Sequence, residues 1–334
     1  MTTFTHASKR VTLAPGELFL TNPQDDTYRD TPATELRAII DRVNSGVPWR
    51  EAVASAYAEA HPWLCDIVTS PLRDLFFRQY PPADGARILD IGAGWGQAAL
   101  PLARRTQVVA LEPTAERMDF IRAAAVQEKV DQSLCFVQAD FFDVDFETKF
   151  DLICCIGVLE WVPKFRAGDP IGLQREFLQR IRGLLNPGGR LVLGIENRLG
   201  LKYLLGAPDD HIGVGGVAVY DFELARAKWR EIHGVELRSL THSRSELAHL
   251  LTESGFNSNQ FFGAFPDYKL PQVILPVGSE INAWLKGGGF VPEHDGSCGR
   301  PLPFQADLAS HYRSLAALNI AENFAPSFFV EASA

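Results

Sequence analysis

Ile88-Leu89-Asp90-Ile91-Gly92-Ala93-Gly94-Trp95-Gly96 is the stretch whose reading decides the fold. An apolar run carrying an acid feeds three glycines at every second position, and a helical pattern follows over Gly96–Arg105. Glycine lets the backbone turn sharply and approach a ligand with no Cβ in the way. The start of the helix adds unpaired N–H groups and the positive end of a dipole. A nicotinamide dinucleotide loop wants its third glycine one residue later than Gly96. Outward from this loop, apolar runs at Arg87–Ile91, Gln107–Glu112, Leu134–Gln138, Phe150–Ile156 and Arg190–Glu196 alternate with helical stretches at Gly96–Arg105, Thr114–Val126 and Leu173–Leu185. Such alternation predicts an α/β fold, a parallel sheet with helices on both faces. Gln260–Phe265 and Gln272–Val277 are candidate last strands, after a capping box formed by Ser243 and Glu246.

The ends of these runs carry the polar residues. Val108-Val109-Ala110-Leu111-Glu112-Pro113 closes the second strand with an acid, and a carboxylate there can accept hydrogen bonds from both hydroxyls of a ribose, a feature that NAD enzymes share. Gln138-Ala139-Asp140-Phe141 closes the third strand, and the run from Phe150 continues past the fourth into Gly157, Glu160 and Trp161. Strand ends in such sheets face the ligand crevice. Leu185-Asn186-Pro187-Gly188-Gly189-Arg190 makes a turn before the fifth strand. In this order the motifs resemble those of class I S-adenosyl-L-methionine (SAM)-dependent methyltransferases, over roughly residues 85–275. The resemblance implies a Rossmann-like fold with a mostly parallel seven-stranded sheet, and SAM as the cofactor. It implies Gly92, Ala93, Gly94 and Gly96 around the methionine end, with Asp90 near the ammonium group. Glu112, followed by Pro113, would serve the ribose, Asp140 the adenine amino group and Phe141 the adenine ring, while Gly157 and Glu160 would lie near the transferred methyl.

After the fifth strand, Gly194-Ile195-Glu196-Asn197-Arg198-Leu199-Gly200-Leu201-Lys202-Tyr203 and its continuation to His211 resemble a segment of methyltransferases in bacterial surface-polysaccharide and glycan assembly. Pro266-Asp267-Tyr268-Lys269-Leu270-Pro271 and the stretch Phe324–Val330 do so too. This implies a hydroxyl of a sugar, nucleotide-sugar or glycan as acceptor, and association with or fusion to glycan-assembly enzymes. A non-sugar natural product (methylated on O, N or C), an NAD(P)-binding oxidoreductase and a catalytically silent scaffold are the alternatives. A hydroxyl acceptor gains from losing its proton, which makes His211, Glu160, Glu196 and Asp267 the candidate bases. His211 has the ordinary pKa closest to neutrality. Arg198 and Lys202 suit an anionic substrate group, with Asn197 in the same segment. Trp161, Tyr203, Tyr220 and Tyr268 suit a sugar ring, although core packing explains each equally well. Asp209, Asp210 and His211 together could ligate a divalent cation, but adjacent acids read as a surface turn, so no metal is expected.

The chain has 334 residues, 46% hydrophobic and 22% charged, the make-up of a soluble globular protein. A formal net charge of −9 disfavours nucleic acid as a partner. Cys65, Cys135, Cys154, Cys155 and Cys298 include no CxxC pair and read as reduced thiols. Without a signal-peptide pattern or an apolar run of about 18 residues, the expectation is a cytoplasmic protein with no membrane span. Residues 1–80 read as a helical N-terminal cap, in which Thr31 caps a helix whose stripe is Leu36, Ile39, Ile40 and Val43. Residues 81–277 read as the cofactor-binding core, with an acceptor-loop insertion at about 198–238, and 278–334 as a C-terminal extension. The oligomeric state is left open.

Overall fold

The computed structural model describes residues 1–21, 31–217, 219–289 and 307–333. The chain forms two compact units, one mainly Met1–Ile156 with Arg180–Val192, the other Gly157–Gln179 with Leu193–Ala332. In chain order the strands are β1 (Thr2–His6), β2 (Lys9–Leu13), β3 (Leu18–Leu20), β4 (Arg87–Ile91), β5 (Gln107–Leu111), β6 (Leu134–Gln138), β7 (Asp145–Phe146) and β8 (Phe150–Ile156). They continue with β9 (Leu185–Glu196), β10 (Ser258–Phe265), β11 (Val273–Pro276) and β12 (Ser327–Ser333).

In the first unit the sheet order is β9-β8-β4-β5-β6-β3. The β3–β6, β4–β5, β4–β8 and β5–β6 pairs are parallel. Ile88, Leu89, Val108, Ala110, Leu134, Val137 and Ile153 are 0–2% exposed, so these strands are buried on both faces as their unbroken apolar runs require. The fold is Rossmann-like, a mostly parallel sheet as expected. In the second unit the order is β11-β10-β12-β9, β9 passing through both units, and β10 and β11 are antiparallel. The sets hold nine distinct strands where seven are expected. The additional members are β3 and β12, neither of which the apolar pattern singles out.

The expected helical cap begins instead with strands. β1 and β2 form an antiparallel hairpin, and β1 also pairs with β7. The helices follow at Ala33–Asn44, Trp49–Tyr57, Pro62–Thr69 and Leu75–Gln79. The expected stripe Leu36, Ile39, Ile40 and Val43 is buried, and Gln127 ties it down, donating to the carbonyls of Val43 and Val47 at 3.0 and 2.7 Å. Pro32, not Thr31, stands at the cap position, and no side chain caps this helix. The Pro187-Gly188-Gly189 turn lies inside the first residues of β9, with Gly188 at φ +77°.

In the second unit the Ser243–Glu246 capping box forms at the start of helix Arg244–Glu253. The 198–238 segment is not all loop, since it contains helices Leu201–Leu204 and Phe222–His233. Beyond Val277 the chain adds helices Ser279–Lys286 and Leu308–Ala317 before β12. Cys65, Cys135, Cys154 and Cys155 are free and buried, whereas Cys298 lies outside the described residues. Among the described residues no helix is long and apolar enough to cross a membrane.

Candidate active site

In the first unit β4 runs into the glycine loop. Gly92, Gly94 and Gly96 have φ of +68°, +58° and +81°, a region that costs an L side chain about 1–2 kcal/mol. The N–H groups of Gly92 and Ala93 donate to the Leu111 carbonyl at 2.8 and 3.0 Å, pinning the loop to the end of β5. Glu112 follows β5 directly and is 2% exposed. It accepts the Gly94 N–H at Oε2 (2.9 Å) and the Thr114 N–H at Oε1 (3.0 Å). Burial raises the Glu112 carboxyl, and Arg117 and these N–H groups oppose the rise.

Asp90 is buried, and its Oδ2 accepts no hydrogen bond among the described residues. Burial pushes its carboxyl up to about 7, with the Glu112 charge adding to the effect and an Ala99 backbone hydrogen bond opposing it. A buried carboxylate oxygen left open beside a glycine loop fits a cationic group. Pro113 accepts the Gln138 side-chain amide at its carbonyl, 2.8 Å away. Asp140 accepts the Phe142 N–H at 2.8 Å, and Phe141 is buried.

In the second unit three elements bring charged side chains together. Glu160 lies in the turn Leu159–Trp161, Glu196 ends β9, and His211 follows helix Leu201–Leu204 by a loop. His211 Nε2 stands 3.5 Å from Glu160 Oε1 and 3.2 Å from Glu196 Oε2, while its Nδ1 is 3.4 Å from Asp209 Oδ1. The His211, Glu160 and Glu196 side chains are at most 4% exposed. Lys269 Nζ pairs with Glu196 and reaches Asp210 Oδ2 at 3.4 Å, and Lys202 Nζ pairs with the same oxygen at 3.0 Å. Tyr268 donates to Glu160 Oε1 at 3.4 Å, and the Trp161 ring meets His211 edge-on at 5.0 Å.

Burial works against a charge on His211, yet Glu196, Asp209 and Glu160 override it and hold the imidazole well above its usual range. Burial likewise opposes ionisation of Glu196, but Lys269 and His211 bring it down to about 2. Glu160 is raised by burial, with Glu196 adding to the rise and His211 opposing it. Gly157, at φ +72°, makes room for this arrangement, because a Cβ there would stand 2.7 Å from the Tyr268 hydroxyl oxygen.

Residues 89–193 match a family described as a methyltransferase domain. This region is a methyltransferase domain. Over 118 residues the chain is 37% identical to the tRNA 5-carboxymethoxyuridine methyltransferase of Escherichia coli (strain K12), a match covering 34% of this chain and 42% of that protein. Over 123 residues it is 32% identical to the ubiquinone biosynthesis O-methyltransferase of Nitrobacter winogradskyi, covering 36% of this chain and 43% of that protein. The matches thus span less than half the length of these curated relatives. Among solved structures, the CcbJ methyltransferase from Streptomyces caelestis shares 14% identity at a TM-score of 0.45, over 80% of this chain and 95% of that one. SAM is the cofactor that such a domain takes.

The methyltransferase domain carries Asp90, the glycine loop, Glu112, Asp140, Gly157 and Glu160, while most residues expected to meet the acceptor lie after it. Glu160, Glu196 and His211 come together. Asp209 and Asp210 do not form a surface turn: their side chains are 8% and 4% exposed and face His211 and two lysines. Arg198, expected to meet an anion, instead forms a two-point pair with Glu246 at 2.6 Å and donates to the Tyr220 carbonyl. Lys202 is paired with Asp210. The Asn197 amide donates to the Asn323 and Ala325 carbonyls, a structural tie within the second unit. Tyr203 is a core residue, and Asp267 is buried, its Oδ1 accepting the N–H groups of Lys269 and Leu270. Tyr220 stands apart, 38% exposed, at a cavity of about 220 Å³ also lined by Ile212, Val217, Phe222, Leu237 and Leu240. Lys269 is the residue that sequence reasoning missed. It lies in the Pro266–Pro271 segment, but its partner Glu196 is 73 positions away.

Proposed function

We propose that this chain transfers a methyl group from SAM to a hydroxyl of a small polar acceptor, a sugar, nucleotide-sugar or glycan. The observation that carries the reading is the cradle of Gly92, Gly94 and Gly96 at positive φ beside the open Asp90 Oδ2, inside the methyltransferase domain. SAM supplies a methyl already activated on a sulfonium, so the protein's work is to align the acceptor and exclude water. On this reading Asp90 holds the ammonium group, and Glu112 turns from Gly94 and Thr114 to the ribose hydroxyls. Asp140 meets the adenine amino group and Phe141 covers the ring.

The acceptor is assigned to the Glu160–Glu196–His211 cluster. Buried carboxylates accept hydrogen bonds from neighbouring hydroxyls, as Glu160 does from Tyr268, and the Trp161 ring packs edge-on against His211. Glu160 and Glu196 would take the hydrogen bond of the reacting hydroxyl. His211, held charged among three carboxylates, is a positioning residue on this reading and not the free base that its ordinary pKa suggests. The net charge of −9 and an acidic cluster weigh against nucleic acid.

A second reading rests on the 220 Å³ cavity, whose apolar lining suits an acceptor with an apolar portion, a non-sugar natural product. The test is methyl transfer from labelled SAM to a panel of free sugars, nucleotide-sugars and apolar phenols. Transfer to a sugar hydroxyl supports the first reading. Transfer to the phenols alone moves the assignment to the second.

A further inference from the structure

We propose that Glu160, Glu196 and His211 form a binding site for one divalent first-row metal ion, held by two carboxylates and an imidazole. Each residue offers one donor atom, His211 by releasing its Nε2 proton as the ion binds, and the three atoms lie within 4.8 Å of one another. Donors about 2.1 Å from an ion, at octahedral or tetrahedral angles, stand about 3.0–3.4 Å apart. The Nε2–Oε2 and Nε2–Oε1 distances of 3.2 and 3.5 Å match that spacing.

Two further observations point to a cation. Glu160 Oε2 and Glu196 Oε2 are buried and accept no hydrogen bond among the described residues. Buried polar atoms are otherwise nearly always satisfied, and leaving one open costs about 1–3 kcal/mol. The local charge is also unbalanced. Among the described residues the carboxyl groups of Glu160, Glu196, Asp209 and Asp210 gather around His211 with Lys202 and Lys269, more carboxyl groups than lysines.

The surroundings have the form of a metal site's outer layer. Asp209 Oδ1 faces His211 Nδ1 at 3.4 Å and is itself held by the N–H groups of His211 and Ile212. No hydrogen bond joins the two, but a carboxylate beside the far nitrogen favours the tautomer that leaves the other nitrogen free for the ion. Lys269 engages Glu196 at Oε1, which leaves Oε2 for the metal. Oxygen donors with one imidazole suit Mn²⁺, Fe²⁺ or Zn²⁺ rather than a soft thiophilic ion. Three protein ligands leave coordination positions open for an acceptor oxygen.

The test uses the full chain, stripped with a chelator and titrated with Mn²⁺ alone by calorimetry and pulsed electron paramagnetic resonance. One ion per chain is expected, with nitrogen coupling from an imidazole ligand. Affinity should fall about tenfold or more in Glu160→Gln and His211→Gln, with the nitrogen coupling gone in the latter, and hold in a Glu59→Gln control at an exposed site. The proposal is overturned if neither Mn²⁺ nor Zn²⁺ binds, or if the bound ion shows no nitrogen coupling. It is equally overturned if both variants, with melting temperature unchanged, bind metal like the parent. No SAM or acceptor is present, so the result is independent of the methyl-transfer reading.

Discussion

Asp90 is a carboxyl acid at about 7, well above the ordinary range near 4, because it is buried at the end of β4 with one oxygen open. A cationic ligand group is attracted only to the ionised form. SAM affinity is therefore expected to rise as pH increases from 6 to about 7 and then level off. Asp90→Asn should bind more weakly at pH 8 and lose this slope, and titration calorimetry at several pH values checks both. Glu112→Ala removes a charged acceptor, which is worth about 1.5–3 kcal/mol per hydrogen bond, so SAM affinity should drop about tenfold or more. Unchanged affinity in a folded variant would show that the ribose lies elsewhere. These residues were legible because their spacing is local: an acid two positions before a glycine, another directly after the next strand. The behaviour of His211 was not. Its ordinary pKa suggests a base, but Asp209 two positions away and the carboxylates of Glu160 and Glu196 from other segments reverse that, and no local pattern announces the latter two.

At the scale of elements, strands β4, β5, β6 and β8 could be read to within a residue, since short unbroken apolar runs bounded by turns fit buried strands and are too short for helices. The β1–β2 hairpin escaped because its two-residue turn is Ala7-Ser8, at φ +46° and +63°, without the Asn-Gly or Asp-Gly that normally signals such a turn. Helix Arg244–Glu253 was legible through its capping box, but the buried contacts at its start were not. His242, just before the box, is 2.7 Å from Gln174 Oε1, and the Glu246 carboxylate holds Arg198. Burial lowers His242 to about 4, with Arg198 assisting and Glu246 opposing. At His242 the unfolded chain therefore binds more protons between pH 6.5 and 4, which costs on the order of 3 kcal/mol of stability as pH drops, while Asp90, protonated near 7 in the folded chain, acts in the opposite sense over the same window. Glu246, held down to about 2 by Arg198 and Ser243 against burial, adds a further loss below about pH 4.5. Urea unfolding of the parent and of His242→Gln at pH 7 and pH 4.5 isolates the histidine's share, and the variant should gain stability relative to the parent at the lower pH. An equal pH response in parent and variant would place the acid sensitivity at another residue.

For the whole molecule, composition and charge bounded the class of protein, and the order of motifs gave the fold. The division into units was hidden, because each is assembled from separated stretches: the chain leaves the first unit at Gly157, returns at Arg180 and leaves again at Leu193. Boundaries drawn at 80 and 277 follow composition along the chain, whereas the units follow contacts. A ligand that binds only the folded chain stabilises it by about 2.7 kcal/mol at one hundred times its Kd, so S-adenosylhomocysteine should raise the melting temperature measurably. The central claim is that the glycine loop with Asp90 and Glu112 is a SAM site. Calorimetric titration of the full chain with SAM, and separately with NAD, tests it most directly. One-to-one binding of SAM with no heat of binding from NAD is the predicted result, and binding of NAD without SAM would contradict it.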